Sequence, residues 1–155
     1  MLSSHWRYGK YVAKHKWYVF LACCRLGIPW AGIVHDLSKF RPSEWRPYAE
    51  YFYGHFRRMG LSPSVKEQHD FDYAWLLHQK ANKHHWQWWI LHEDSGELKL
   101  LPMPDRYRRE MLADWKGAGR AAGKPDTRAW YLKNREHILL EFGTRYWIEQ
   151  QLGVA

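Results

Sequence analysis

Apolar positions recur three and four residues apart from residue 4 to residue 26. Tyr8, Tyr11, Val12, His15, Val19 and Ala22 fall on one face, the mark of an amphipathic helix. Ser4 is placed to cap it, and Gly27 before Ile28-Pro29 to stop it. Pro29 opens a second, short helix over 29–40, since proline suits a first helical turn. Arg41-Pro42 breaks that helix, and a third runs over 43–60 with Pro47 in its first turn, where a missing amide costs least. Residues 61–70 read as a polar connector. Asp70 caps a fourth helix over 71–83, on which Phe71, Ala74, Trp75 and His78 share a face.

The pattern changes from residue 86 to residue 104, where two β-prone runs flank Asp94-Ser95-Gly96. That arrangement predicts a small hairpin. On its strands Trp86 and Trp88 would share one face and Trp89 the other. Pro104 and Asp105 start a fifth helix over 105–119, ended by Gly117, Gly119 and Gly123. Pro125-Asp126 starts a sixth, and a last short one spans 144–152. No repeat, low-complexity segment or linker interrupts the series. The expectation is an all-α helical bundle with one small β-hairpin, a single domain over residues 1–155.

Composition narrows the partners more than the fold. A chain of 155 residues suffices for one domain with one core. Its 11 Trp and 10 Tyr suit a core with a thick aromatic rim, because these rings bury much area and keep a polar edge. The formal net charge of +8 favours an anionic partner, either a small phosphorylated molecule or a nucleic acid. Adjacent Cys23 and Cys24 form neither a disulfide framework nor a CxxC pattern and read as core thiols. The apolar run 17–24 is far short of the roughly 20 residues a bilayer span needs, and the N-terminus lacks a signal peptide's apolar stretch. A cytoplasmic location with no membrane partner is expected; the oligomeric state is not legible.

The chemistry-bearing residues are mostly histidines. On a continuous helix His78, Asn82 and His85 would lie one above another, with His84 at the helix end. Far upstream, adjacent His35 and Asp36 cannot both face a core from a regular helix. A metal ion suits imidazole and carboxylate together. His15, His35-Asp36, His78, His84-His85 and Asp114 follow one another on segments read as helical, and facing helices are how bundles build metal sites. Glu110, one turn before Asp114, is placed to orient a ligand. Glu44 reads as a capping acid near a helix start. His5, His55, His69, His92 and His137 read as surface residues.

The HDLSK motif at 35–39, with His15 upstream and His78, His84-His85 and Asp114 downstream, resembles the HD-domain superfamily. The stretches 15–45, 74–89 and 113–131 also resemble an uncharacterised family of short phage and bacterial proteins. The first resemblance implies one to three divalent ions and hydrolysis of a phosphate ester or anhydride. In a minority branch it implies a mixed-valent di-iron pair that oxygenates C–H bonds.

The ligand types suit Fe, Mn, Zn, Co or Ni without choosing among them. In a dinuclear site Asp36, with two oxygens, is the expected bridge and catalytic carboxylate. Lys39, one turn after His35 on a continuous helix, is the expected catalytic and substrate-binding cation for a phosphate. Lys116, Arg120 and Lys124 are the expected anion-binding rim. The expected function is a metal-dependent phosphohydrolase acting on a nucleotide or another phosphorylated small molecule. The alternatives are the di-iron oxygenase and a basic nucleic-acid-binding module with a structural metal, in which Trp86, Trp88 and Trp89 stack on bases.

Overall fold

The computed structural model describes residues 3–154. Eight α-helices are joined by three 3₁₀ turns and one hairpin: α1 (Ser4–Arg25), α2 (Pro29–Val34), α3 (Pro42–Tyr53), α4 (His55–Arg58), α5 (Val65–Ala81), α6 (Asp105–Ala121), α7 (Thr127–Asn134) and α8 (Phe142–Leu152). The strands β1 (Ile90–His92) and β2 (Leu98–Leu100) pair antiparallel, with Leu91 opposite Lys99. The chain is therefore all-α with one small hairpin, turned at Gly96 with φ +87°, a backbone region open to glycine at no steric cost.

The residues group into two compact units, each discontinuous in sequence. One takes α1 up to Lys14 together with Asp36–Asn82; the other takes His15–His35 and the chain from Lys83 onward. In the first unit, Tyr8 and Val12 of α1 bury against Tyr48 and Ala49 of α3 and Ala74 of α5. Aromatic edges lock this core: Tyr8 meets Trp45 edge-on at 4.8 Å, and Tyr51 stacks on Phe71 at 4.0 Å. In the second unit, Met111 and Leu112 of α6 join Tyr131, Ile138, Ile148 and Leu152. Val19, Ala22 and Cys23 of α1 pack against Ala113 beside them.

Several boundaries differ from the sequence reading. The connector over 61–70 is largely helix, because Ser64 and Glu67 form a reciprocal capping box that starts α5. The helix expected over 43–60 breaks at Gly54, where a Cβ would lie 2.2 Å from the Glu50 carbonyl oxygen. Pro47 lies inside α3 rather than in its first turn, because that helix already starts at Pro42. Gly117 and Gly119 sit inside α6 instead of ending it. Residues Trp86–Trp89 form a 3₁₀ turn instead of strand. Its threefold spacing puts Trp86 and Trp89 on one side, and both pack on the core that includes Met111. Of the two thiols, only Cys23 is buried.

Candidate metal centre

In the second unit, four chain segments bring their polar side chains to one buried place. α1 supplies His15, the residue after α2 supplies His35, the turn after α5 supplies His84, and α6 supplies Glu110 and Asp114. The i,i+4 spacing of Glu110 and Asp114 sets both carboxylates on one face of α6. Asp114 Oδ1 lies 3.3 Å from His15 Nε2 and 3.4 Å from His35 Nε2, and its Oδ2 lies 4.0 Å from His84 Nε2. Glu110 Oε1 lies 3.1 Å from His35 Nδ1 and 3.3 Å from His84 Nδ1. One carboxylate thus holds the Nδ1 edges of two rings while three Nε2 atoms converge on the other.

This division of labour resembles that of metal-binding histidines, which give one nitrogen to the ion and the other to a carboxylate that fixes the tautomer. Ligand atoms of His35, His84 and Glu110 all lie within 4.8 Å of one another. The imidazoles are almost fully buried, His15 and His84 at 2% exposure and His35 at 1%. Burial pushes the Asp114 carboxyl up, but the hydrogen bond from His35 and the charges of His35, His15 and His84 outweigh it and hold it far below the usual carboxylate range. Glu110 likewise feels burial, yet hydrogen bonds from His35 and His84 bring it down to about 2. Both groups are anions at neutral pH, as metal ligands must be. These buried His, Asp and Glu residues could hold a metal ion.

Within the first unit, His78, Asp36, Glu44, Ser38, Asn82 and Lys39 form a connected polar network. His78 Nε2 faces Asp36 Oδ1 at 3.4 Å, and its Nδ1 lies 2.8 Å from Glu44 Oε2. Ser38 Oγ donates to Glu44 at 3.1 Å, and Asn82 Nδ2 donates to Ser38 Oγ at 2.9 Å. Lys39 pairs its ammonium with Asp36 Oδ2. Glu44 is therefore no cap: the cap position of α3 is Arg41, with no side-chain cap bond, and Glu44 is buried against His78. Its first-turn position suggested capping; only the fold turns that face inward.

The backbone leaves the helical path at His35 and Asp36. α2 stops at Val34, His35 is extended (φ −51°, ψ 131°), and Asp36 is left-handed with φ 53°. Among the described residues it is the one non-glycine with positive φ, a conformation that Asp tolerates better than most. The helix expected over 29–40 therefore breaks at the motif itself, and Lys39 does not sit one helical turn beyond His35. Its amide instead donates to the Asp36 carbonyl at 3.0 Å.

The helix carrying His78 ends at Ala81, and Asn82 is extended. The expected shared face of His78, Asn82 and His85 therefore stops short of His85. His84 enters the second unit's cluster, and His85 lies ring against ring on it with centroids 4.3 Å apart. Lys116 and Arg120 line a separate cavity with Arg25 and Arg128; Lys124 is not among its lining residues. The five histidines expected at the surface, His5, His55, His69, His92 and His137, are exposed. Among the described residues no helix is long and apolar enough to cross a membrane.

No curated protein and no solved structure matches the chain. Residues 4–154 match a family of unknown function (DUF5662), and the chain belongs to that family.

Proposed function

We propose that the chain is a metal-dependent phosphohydrolase of the HD type, acting on a nucleotide or another phosphorylated small molecule. The observation that supports this reading is the approach of His15, His35 and His84 Nε2 to the Asp114 carboxylate, with Glu110 behind two of the rings. In this reading His15, His35, His84 and Asp114 would hold a divalent ion, with Asp36 and His78 as further ligand residues. The chemistry such an ion would supply when bound is a hydroxide nucleophile near neutral pH. Glu110 keeps the Nδ1 protons of His35 and His84 engaged, so their Nε2 lone pairs stay directed at the ion's position. Glu44 does the same for His78. Lys39 sets an ammonium beside Asp36, where it balances carboxylate charge and offers a donor to a phosphate oxygen.

The test is a panel of nucleotides and generic phosphodiesters assayed with Mn, Co, Ni and Fe. Metal-dependent hydrolysis that His35→Ala abolishes is the expected outcome. Lys39→Ala should keep the metal and lose turnover on the order of a hundredfold. Two irons with a mixed-valent magnetic signal and no phosphate hydrolysis would replace the reading by an oxygenase. Salt-sensitive nucleic-acid binding indifferent to metal, again without turnover, would replace it by a binding module.

A further inference from the structure

The second unit carries a cavity of about 330 Å³ that the metal cluster does not use. The end of α1, the second half of α6 and the start of α7 surround it. Four of its lining side chains are cationic: Arg25, Lys116, Arg120 and Arg128. One lining carboxylate, Asp126, is already engaged as the cap of α7, accepting from the Ala129 amide at 2.9 Å. Among the described residues none of the four cations is ion-paired with a carboxylate.

A solvated basic face would keep its ammonium groups fully in water. Lys116 departs from that: burial, then the charges of Arg120 and Arg25, hold its ammonium below the ordinary lysine value. A second feature is independent of charge. Thr127, in the first turn of α7, lines the same cavity and is only 7% exposed, yet its buried Oγ1 has no hydrogen-bond partner. A buried hydroxyl without a partner is destabilising, and a ligand that accepts its hydrogen bond would remove that penalty.

Lys116 and Arg120 leave α6 roughly a third of a turn away from Glu110 and Asp114, at 100° per residue. The cavity therefore belongs to a different side of the helix from the metal cluster. Its volume lies at the small end of the range for ligand pockets, about 300–1,000 Å³, suited to a compact polar head rather than a long polymer. Arginine forks and a lysine point charge are the groups that recognise phosphate oxygens.

We propose that this cavity is an anion site for the phosphate or diphosphate group of a small molecule, held by Arg25, Lys116, Arg120 and Arg128 with Thr127 Oγ1 as an additional donor. The site does not depend on the metal reading, and its test is done on chelated full-length protein. Inorganic phosphate, pyrophosphate and a short single-stranded oligonucleotide are titrated calorimetrically at fixed ionic strength. Pyrophosphate should bind saturably. Lys116→Ala and Arg120→Ala should each weaken it about tenfold or more, as expected for loss of a charge-assisted bond. Thr127→Val should weaken it several-fold, and Thr127→Ser should restore it. Arg128→Ala, at an exposed position, serves if a substitution on α6 unfolds the chain. Absence of saturable pyrophosphate binding, or equal affinity in all variants, overturns the proposal. An oligonucleotide that binds tighter than pyrophosphate with the same variant sensitivity overturns the commitment to a small molecule.

Discussion

A single carboxylate decides how two of the imidazoles in the second unit's cluster are presented. Glu110 Oε1 meets Nδ1 of both His35 and His84, so it sets two tautomers at once. Glu110→Ala should weaken metal binding by about 10- to 100-fold while leaving a full complement at saturating metal, whereas Asp114→Ala should lose a site outright. Competition against a chromogenic chelator separates the two; equal loss in both variants would make Glu110 a ligand instead of an orienting group. The thiols offer a second check. Burial, then the charges of Glu110, Cys24 and Asp114, push the Cys23 thiol up to about 12. Since the thiolate is the reactive form, a thiol reagent should label exposed Cys24 in the native chain and reach Cys23 only after unfolding. Rapid native labelling of both would contradict the burial. At this scale His15, His35, His84 and Asp114, which the fold gathers where they could hold a metal ion, were legible in the sequence as candidates. Glu44 was not, because a first-turn acid has the same signature whether it caps a helix or turns inward to a histidine.

The elements show where local pattern suffices and where it fails. The hairpin followed from its turn residues, and α1 from its spacing. The start of α5 was also written in the sequence, as Ser64 and Glu67 at capping-box spacing, but the polar run around them hid it. The break at His35-Asp36 had no local marker, because a left-handed Asp36 is held by its surroundings. Gly117 shows the same limit from the other side. Glycine lowers helix propensity and so reads as a terminator, yet here it admits α1. A Cβ at 117 would lie 2.4 Å from Val19 Cγ2 and 2.8 Å from the Val19 amide nitrogen. Gly117→Ala should therefore destabilise the chain by about 1–3 kcal/mol, the usual cost of overpacking, despite alanine's better propensity. A denaturation midpoint at or above that of the wild type would show that α1 yields at no cost.

Glu141 gives the elements a pH dependence. Backbone amides of Gly143 and Thr144 hold its carboxyl below the usual value as it caps α8. A depressed carboxyl contributes stability above its unfolded-state pKa and loses that contribution as pH falls through the folded value. Glu141→Ala should cost about 1 kcal/mol at neutral pH, and the gap to wild type should close in acid. A gap independent of pH would mean the carboxylate is not what stabilises that helix start.

For the whole molecule, the net charge of +8 and the cation-lined cavity fit an anionic ligand. Four chain segments, at His15, His35, His84 and Asp114, supply the second unit's cluster. An ion bound only by the folded chain would add stability by mass action, about 4 kcal/mol at a thousand times its dissociation constant. A chelator should therefore lower the melting temperature, and added metal should restore it. Whether the cluster holds an ion is decided by the metal-to-protein ratio of chain purified without added metal, set beside Asp114→Ala with circular dichroism to verify folding. The expected result is a first-row transition metal at one or more per chain in the wild type, with at least one lost in the folded variant. A folded wild type that takes up no transition metal, or a variant with an unchanged ratio, would contradict it.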